Sequence, residues 1–101
     1  MSDVHIRSFV VLAEEGAFVR AAPRLHVTQP PLTRRIQALE AELGATLFER
    51  RARGVKLTEA GRAFLPHARR ILAAHEAAKL AVKQDRPSDE APLTGDVPPA
   101  D

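Results

Sequence analysis

Apolar residues recur along the first third of the chain at intervals of three and four. Ile6, Phe9, Val10 and Ala13 fall at i, i+3, i+4 and i+7, a spacing that draws one stripe along a helix. Asp3 is placed to cap its start and Gly16 to stop it. Phe18, Ala21, Ala22 and Leu25 repeat the pattern briefly, predicting a second helix that ends at the break His26-Val27. Thr28 is a favourable N-cap for a third, with Pro30 and Pro31 in the first turn, where a missing N–H costs nothing, and Gly44 at its end. Leu32, Ile36, Leu39 and Leu43 keep one face of this helix. At about 100° per residue the opposite face carries Pro30, Thr33, Arg34, Gln37 and Ala41, with Gln29 at its edge.

The period then changes. Residues 46–49 and 55–57 alternate like two short strands around Arg50-Arg51-Ala52-Arg53-Gly54, a basic hairpin that puts three guanidiniums on a turn. Thr58 is expected to cap a long final helix, with Glu59 in its first turn, lasting to Lys83 and about 38 Å in length. Phe64, Ala68, Ile71, His75, Ala78 and Val82 are spaced 4, 3, 4, 3 and 4 along it, the seam of a helix pair. Phe64 is expected to pack on helix one, with Ala68 as a second candidate for the same contact. Ala68, Ile71, His75, Ala78 and Val82 are predicted to meet a second copy of the chain, because so small a body leaves much of the helix uncovered. Pro66 lacks the N–H that would bond back to Arg62, and a bend is expected there.

Composition narrows the class. A chain of 101 residues, 45% hydrophobic and 28% charged, is one small soluble domain. With no Cys it has no disulfide to staple it, which favours oligomerisation. No apolar run reaches the ~18 residues of a membrane span, and the N-terminus lacks the pattern of a signal peptide, so a cytoplasmic protein is expected. Charge is divided unevenly. Residues 1–84 carry 14 Lys and Arg against 8 Asp and Glu, net +6, while residues 85–101 carry 1 against 5, net −4. That last segment holds four of the eight prolines and is expected to be a disordered acidic tail. The chain thus divides into a body at 1–58, a linker and dimerisation helix at 59–84, and the tail at 85–101.

Two short helices, a tight turn, a third helix with a polar face and a basic hairpin make a mainly α fold of the winged helix-turn-helix type. The major groove of DNA admits one helix, so the N-terminal end and outward face of helix three, Gln29, Pro30, Thr33, Arg34 and Gln37, are placed to meet base edges. Gln bonds adenine in bidentate fashion, Arg does so to guanine, and Thr or Pro touches a thymine methyl. Arg50, Arg51 and Arg53 would form the wing, since arginine favours a narrow, electronegative minor groove. Enzyme chemistry has little to stand on. His5, His26, His67 and His75 show no metal-site spacing, and neither a glycine-rich phosphate loop nor a nucleophile elbow is present. A helical interaction module with an incidental basic surface would explain the seam but not the wing.

The blocks AAPRLHVTQPPLTRRI, LEAELGATLFER and LTEAG stand in an order and spacing that closely resembles the N-terminal DNA-binding domain of LysR-type transcriptional regulators. The likeness covers residues 1–83. It implies that Gln29, Pro30, Thr33 and Arg34 approach bases, that Thr28 and Gln37 approach the backbone or bases, and that Arg50, Arg51 and Arg53 lie in the wing. It further implies that the long helix pairs with its twin, and that the protein binds interrupted inverted repeats near promoters as a dimer or tetramer. A small-molecule inducer belongs to the family's longer effector segment, which these residues do not include, so a response to it is expected only of a chain that carries that segment. No cofactor is implied. Two positions depart from the pattern. Ala17 stands where Ser or Thr is usual, removing an N-cap of about 1 kcal/mol, and Pro23 falls inside helix two, where a proline costs up to about 3 kcal/mol.

Overall fold

The computed structural model describes residues 1–84, so the proposed tail lies outside the described residues. Helices α1 (Asp3–Glu15), α2 (Phe18–Arg24) and α3 (Gln29–Leu43) are followed by strands β1 (Phe48–Arg51) and β2 (Gly54–Leu57) and by helix α4 (Glu59–Gln84). The strands form an antiparallel hairpin in which Phe48 faces Leu57 and Arg51 faces Gly54. Helix α1 is the hub. Its Ile6, Phe9 and Leu12 are almost completely buried, together with Leu32 and Leu39 of α3, Leu47, and Ala68 of α4. The ring of Phe9 lies 5.3 Å from that of Phe48 and 5.0 Å from that of Phe64, in the tilted geometry aromatic pairs favour.

The start of α1 and the end of α2 differ from expectation. Ser2, not Asp3, caps α1, its Oγ accepting the N–H of His5 at 3.2 Å; Asp3 sits one position later, in the first turn, where its charge faces the helix dipole. Helix α2 ends at Arg24, one residue early, because the turn closes there: the N–H of His26 bonds to the carbonyl of Pro23 at 3.1 Å and that of Val27 to Ala22 at 3.1 Å. These two bonds are a Schellman closure. Pro23 therefore lies in the last turn, exposed, and not deep in the helix as expected. Ala17 begins α2 without a side-chain cap.

Two glycines fix how the wing docks. The N–H of Val55 bonds to the carbonyl of Gly16 at 2.8 Å, and a Cβ on Gly54 would overlap that carbonyl. A Cβ on Gly61 would overlap the carbonyl of Leu47, so only glycine lets the first turn of α4 approach the segment leading into β1 this closely. Thr58 caps α4 as expected, its Oγ accepting the N–H of Gly61 at 3.0 Å while its hydroxyl donates to Thr46 at 2.6 Å. Helix α4 continues through Pro66, which is exposed, without interruption.

Candidate nucleic-acid interface

The inward stripe of α3 buries Leu32, Ile36 and Leu39. Leu43, expected to join them, is 37% exposed; the buried stripe ends a turn earlier, at Leu39, before Gly44 closes the helix. The opposite face is turned outward from the N-terminal end. Thr28, Gln29, Pro30, Arg34 and Gln37 are exposed and Thr33 is half-buried. Thr28 occupies the N-cap position but its side chain makes no capping hydrogen bond, contrary to its expected role.

What separates this face from the rest of the helix is its lack of internal use. Arg35 reaches the Oγ of buried Ser8 at 3.4 Å, and Glu40 Oε2 accepts the N–H groups of Leu47 at 2.7 Å and Phe48 at 3.3 Å. Among the described residues, the side chains of Gln29, Thr33, Arg34 and Gln37 make no hydrogen bond or ion pair within the chain. A groove of about 200 Å³ runs between this face and the hairpin, lined by Thr33, Gln37, Phe18, Arg50 and Val55 among others. A second hollow joins Gln29 to Arg50, Arg51 and Gly54.

The hairpin turn is tighter than the sequence suggested. Arg50 and Arg51 belong to β1, and of the three arginines only Arg53 stands in the turn. Alternation along β1 sends Arg51 to the outer face, where it pairs with Glu49 at 3.1 Å and Glu49 faces Lys56 across the ladder. Arg50 takes the same side as Phe48, and its guanidinium lies 4.6 Å from the centre of the Phe18 ring.

The seam of α4 is divided. Ala68 is fully buried against the core of its own chain, which corrects its assignment to a partner interface: no surface is left to contact. Ile71 is half-buried and packs on the same core. His75 Nδ1 lies 2.8 Å from Asp3 Oδ1, and since an ionised carboxylate only accepts, Nδ1 donates. Arg7 donates to Asp3 at 3.4 Å and forms an ion pair with Glu76 at 3.6 Å. Helix α1 thus reaches along the stripe as far as His75, which is itself exposed, as are Ala78, Val82 and, at 53%, Leu80. Leu80 was not foreseen, since it lies off the seam.

A surface network ties the turn to this frame. Arg24, one residue before the turn, donates to Glu14 at 2.9 Å and to Glu15 at 3.0 Å, and Arg69 of α4 reaches Glu14 at 3.7 Å. The hydrogen bond to Glu14, then that to Glu15, holds the Arg24 guanidinium above its ordinary range. Sequence reasoning missed Arg35, Glu40 and Arg24 because nothing in a charge pattern marks a residue whose partner is distant in the chain.

Among the described residues there is no group of three potential ligands for a metal ion, and no helix is long and apolar enough to cross a membrane. Residues 4–62 match the bacterial regulatory helix-turn-helix protein, lysR family, and the chain belongs to that family. It is 60% identical over 68 residues to the HTH-type transcriptional regulator TfdT of Cupriavidus pinatubonensis, covering 67% of this chain and 30% of that protein. It is 60% identical over 67 residues to the regulator ClcR of Pseudomonas putida, 66% of this chain and 23% of that one. The matched stretch is thus under a third of either regulator. Among solved structures, the CbnR DNA-binding domain in complex with DNA is 48% identical with a TM-score of 0.75, covering 89% of this chain and all of that one. The BenM DNA-binding domain bound to benA site 1 DNA is 42% identical with a TM-score of 0.78, covering 83% and 98%. The fold is the winged helix-turn-helix of these domains.

Proposed function

We propose that this chain binds double-stranded DNA sequence-specifically as part of a transcription regulator, through a binding rather than a catalytic role, in the cytoplasm. The N-terminal half of α3 enters the major groove, with Gln29, Pro30, Thr33 and Arg34 at base edges and Thr28 and Gln37 toward the backbone. The turn of the hairpin, carrying Arg53 beside Arg51, meets the adjacent backbone and minor groove. Two chains pair through the far part of α4, around Ala78 and Val82, and so present two reading helices to an inverted repeat. A small-molecule inducer would act only through an effector segment in a longer chain.

One observation carries this reading: four polar side chains lie together on the outward face of α3 with no partner among the described residues, beside a wing arginine, Arg53, that likewise makes no ion pair among them. Exposed side chains able to make directed hydrogen bonds, at a helix N-terminus and next to a basic hairpin, suit a groove lined with donors and acceptors and flanked by phosphates. The relatives named above are transcriptional regulators, and two of the structural neighbours hold DNA, which supports the same reading. Fluorescence anisotropy with labelled duplex at several salt concentrations tests it. The expected log–log slope is about −0.9 for each phosphate contacted. A slope of zero, or no binding, would overturn it.

A further inference from the structure

The wing's charge run suggests three equivalent arginines, but the hairpin's register separates them. Alternation along β1 places Arg50 on the same side as Phe48, opposite Val55, while Arg51 stands on the side of Glu49 and Lys56. Arg50 has one clear partner, the face of the Phe18 ring, with its Cζ 4.6 Å from the centroid. Phe18 is 9% exposed and opens α2, the helix that precedes the turn into α3. A guanidinium stacked on an aromatic face is held in place by electrostatic attraction to the ring and by packing of its stem. It also lines the groove floor between α3 and the wing, alongside Thr33 and Gln37.

We propose that Arg50 is a positioning residue that clamps the wing to α2, setting the wing's distance from the reading helix, and is not one of the phosphate contacts. The inference deepens the DNA-binding reading and rests on it for its functional consequence. The clamp works beside a second tie at the same place, the bond from Val55 N–H to the carbonyl of Gly16 at 2.8 Å. Val55 is the cross-strand partner of Arg50, so the two ties hold opposite strands of the hairpin at one level. Arg53 and Arg51 are then presented to the DNA from a fixed base.

Three measurements test it, two of them without DNA. In the wild-type chain the Arg50 side-chain protons should be shifted upfield by the Phe18 ring current; random-coil shifts there would overturn the proposal. Amide exchange at Val55 should quicken in Arg50→Gln, by about two- to fivefold as expected for loss of an exposed cation–π contact, while Leu39 exchanges as before. Arg50→Met, which keeps the apolar stem on the ring, should recover part of the protection. Uniform quickening at Val55 and Leu39 would mean a general loss of stability and would also overturn the clamp. On duplex DNA, Arg50→Gln should bind more weakly at an unchanged salt slope, whereas Arg53→Ala should flatten the slope by about 0.9. A slope flattened by about 0.9 in Arg50→Gln makes it a phosphate ligand and ends the proposal. Failure of the wild-type chain to bind any duplex would instead strike the DNA-binding reading, with the ring-current and exchange results still deciding the clamp.

Discussion

Glu40 Oε2, on the inner edge of α3, accepts the backbone N–H of Leu47 at 2.7 Å and so ties the reading helix to the segment that opens the wing. The same oxygen lies 3.3 Å from the N–H of Phe48. A carboxylate serving two backbone donors at a bend gives the chain a fixed exit from the helix, since those donors would otherwise be left at a partly buried site. Glu40→Ala is expected to cost about 1.5–3 kcal/mol in urea unfolding, the range for hydrogen bonds to a charged group. Glu40→Gln keeps an acceptor and should recover part of the loss. Midpoints equal to wild type in both variants would show that the bend is held by packing alone.

The turn between α2 and α3 is closed by a residue in an unusual conformation. His26 has a φ of 58°, the left-handed region that glycine adopts without a Cβ penalty. His26→Gly is therefore expected to stabilise the chain by roughly 0.5–1 kcal/mol, the gain from relief being partly offset by the greater freedom of unfolded glycine. The thermal midpoint should rise by several degrees, and affinity for DNA should be unchanged. A lower midpoint would mean that the imidazole holds the turn by contacts that outweigh the backbone cost.

Acid should loosen the join between α1 and α4. The hydrogen bond from His75 holds the Asp3 carboxyl below its ordinary value of 3.8, against an opposing cost of burial and with Arg7 adding to the lowering. A carboxylate with a depressed folded value contributes stability that is present above 3.8 and is lost as pH falls through the lower folded value. Asp3→Asn should accordingly lower the unfolding midpoint slightly at pH 5 and above, and the difference should close in stronger acid. The effect is small because both side chains are about a third or more exposed. A difference that persists unchanged to pH 2 would assign it to helix capping geometry and not to the charge.

Local patterning made most of the fold legible, and the misses have a common cause. The stripe Ile6, Phe9, Val10 and Ala13 and the polar face of α3 follow from helical period alone, which depends only on near neighbours. Which partner covers a stripe does not. Phe64, Ala68, Ile71, His75, Ala78 and Val82 have one uninterrupted spacing, yet α1 contacts the stripe only as far as His75, a length set by where α1 begins. Likewise Arg50, Arg51 and Arg53 are indistinguishable as a charge run, and only the strand register with Val55 and Gly54 separates them. Glu40 and Arg35 carry no mark in the sequence because their partners lie elsewhere in the chain.

The division of α4 changes how pairing is tested. Ile71 packs on its own core, so Ile71→Asp should unfold the chain and say nothing of a partner. Val82 is 69% exposed and Leu80 53%, and Val82→Asp or Ala78→Asp should leave the monomer folded, with its thermal midpoint near wild type. Sedimentation should then find dimers for the wild type and monomers for these variants at micromolar concentration. A wild type that sediments as a monomer would move pairing to residues outside the described segment or remove it.

The most direct test of sequence-specific recognition by α3 is selection of bound duplexes from a randomised pool, followed by affinity measurement of the winner and of a scrambled control. The wild-type chain is expected to enrich one sequence motif, arranged as an inverted repeat. Arg34→Ala should weaken binding to the winner by about 1–3 kcal/mol while hardly changing binding to the scrambled duplex. No enrichment over the starting pool, or equal losses on both duplexes in Arg34→Ala, would contradict base readout by this helix and leave only a basic surface that holds phosphates.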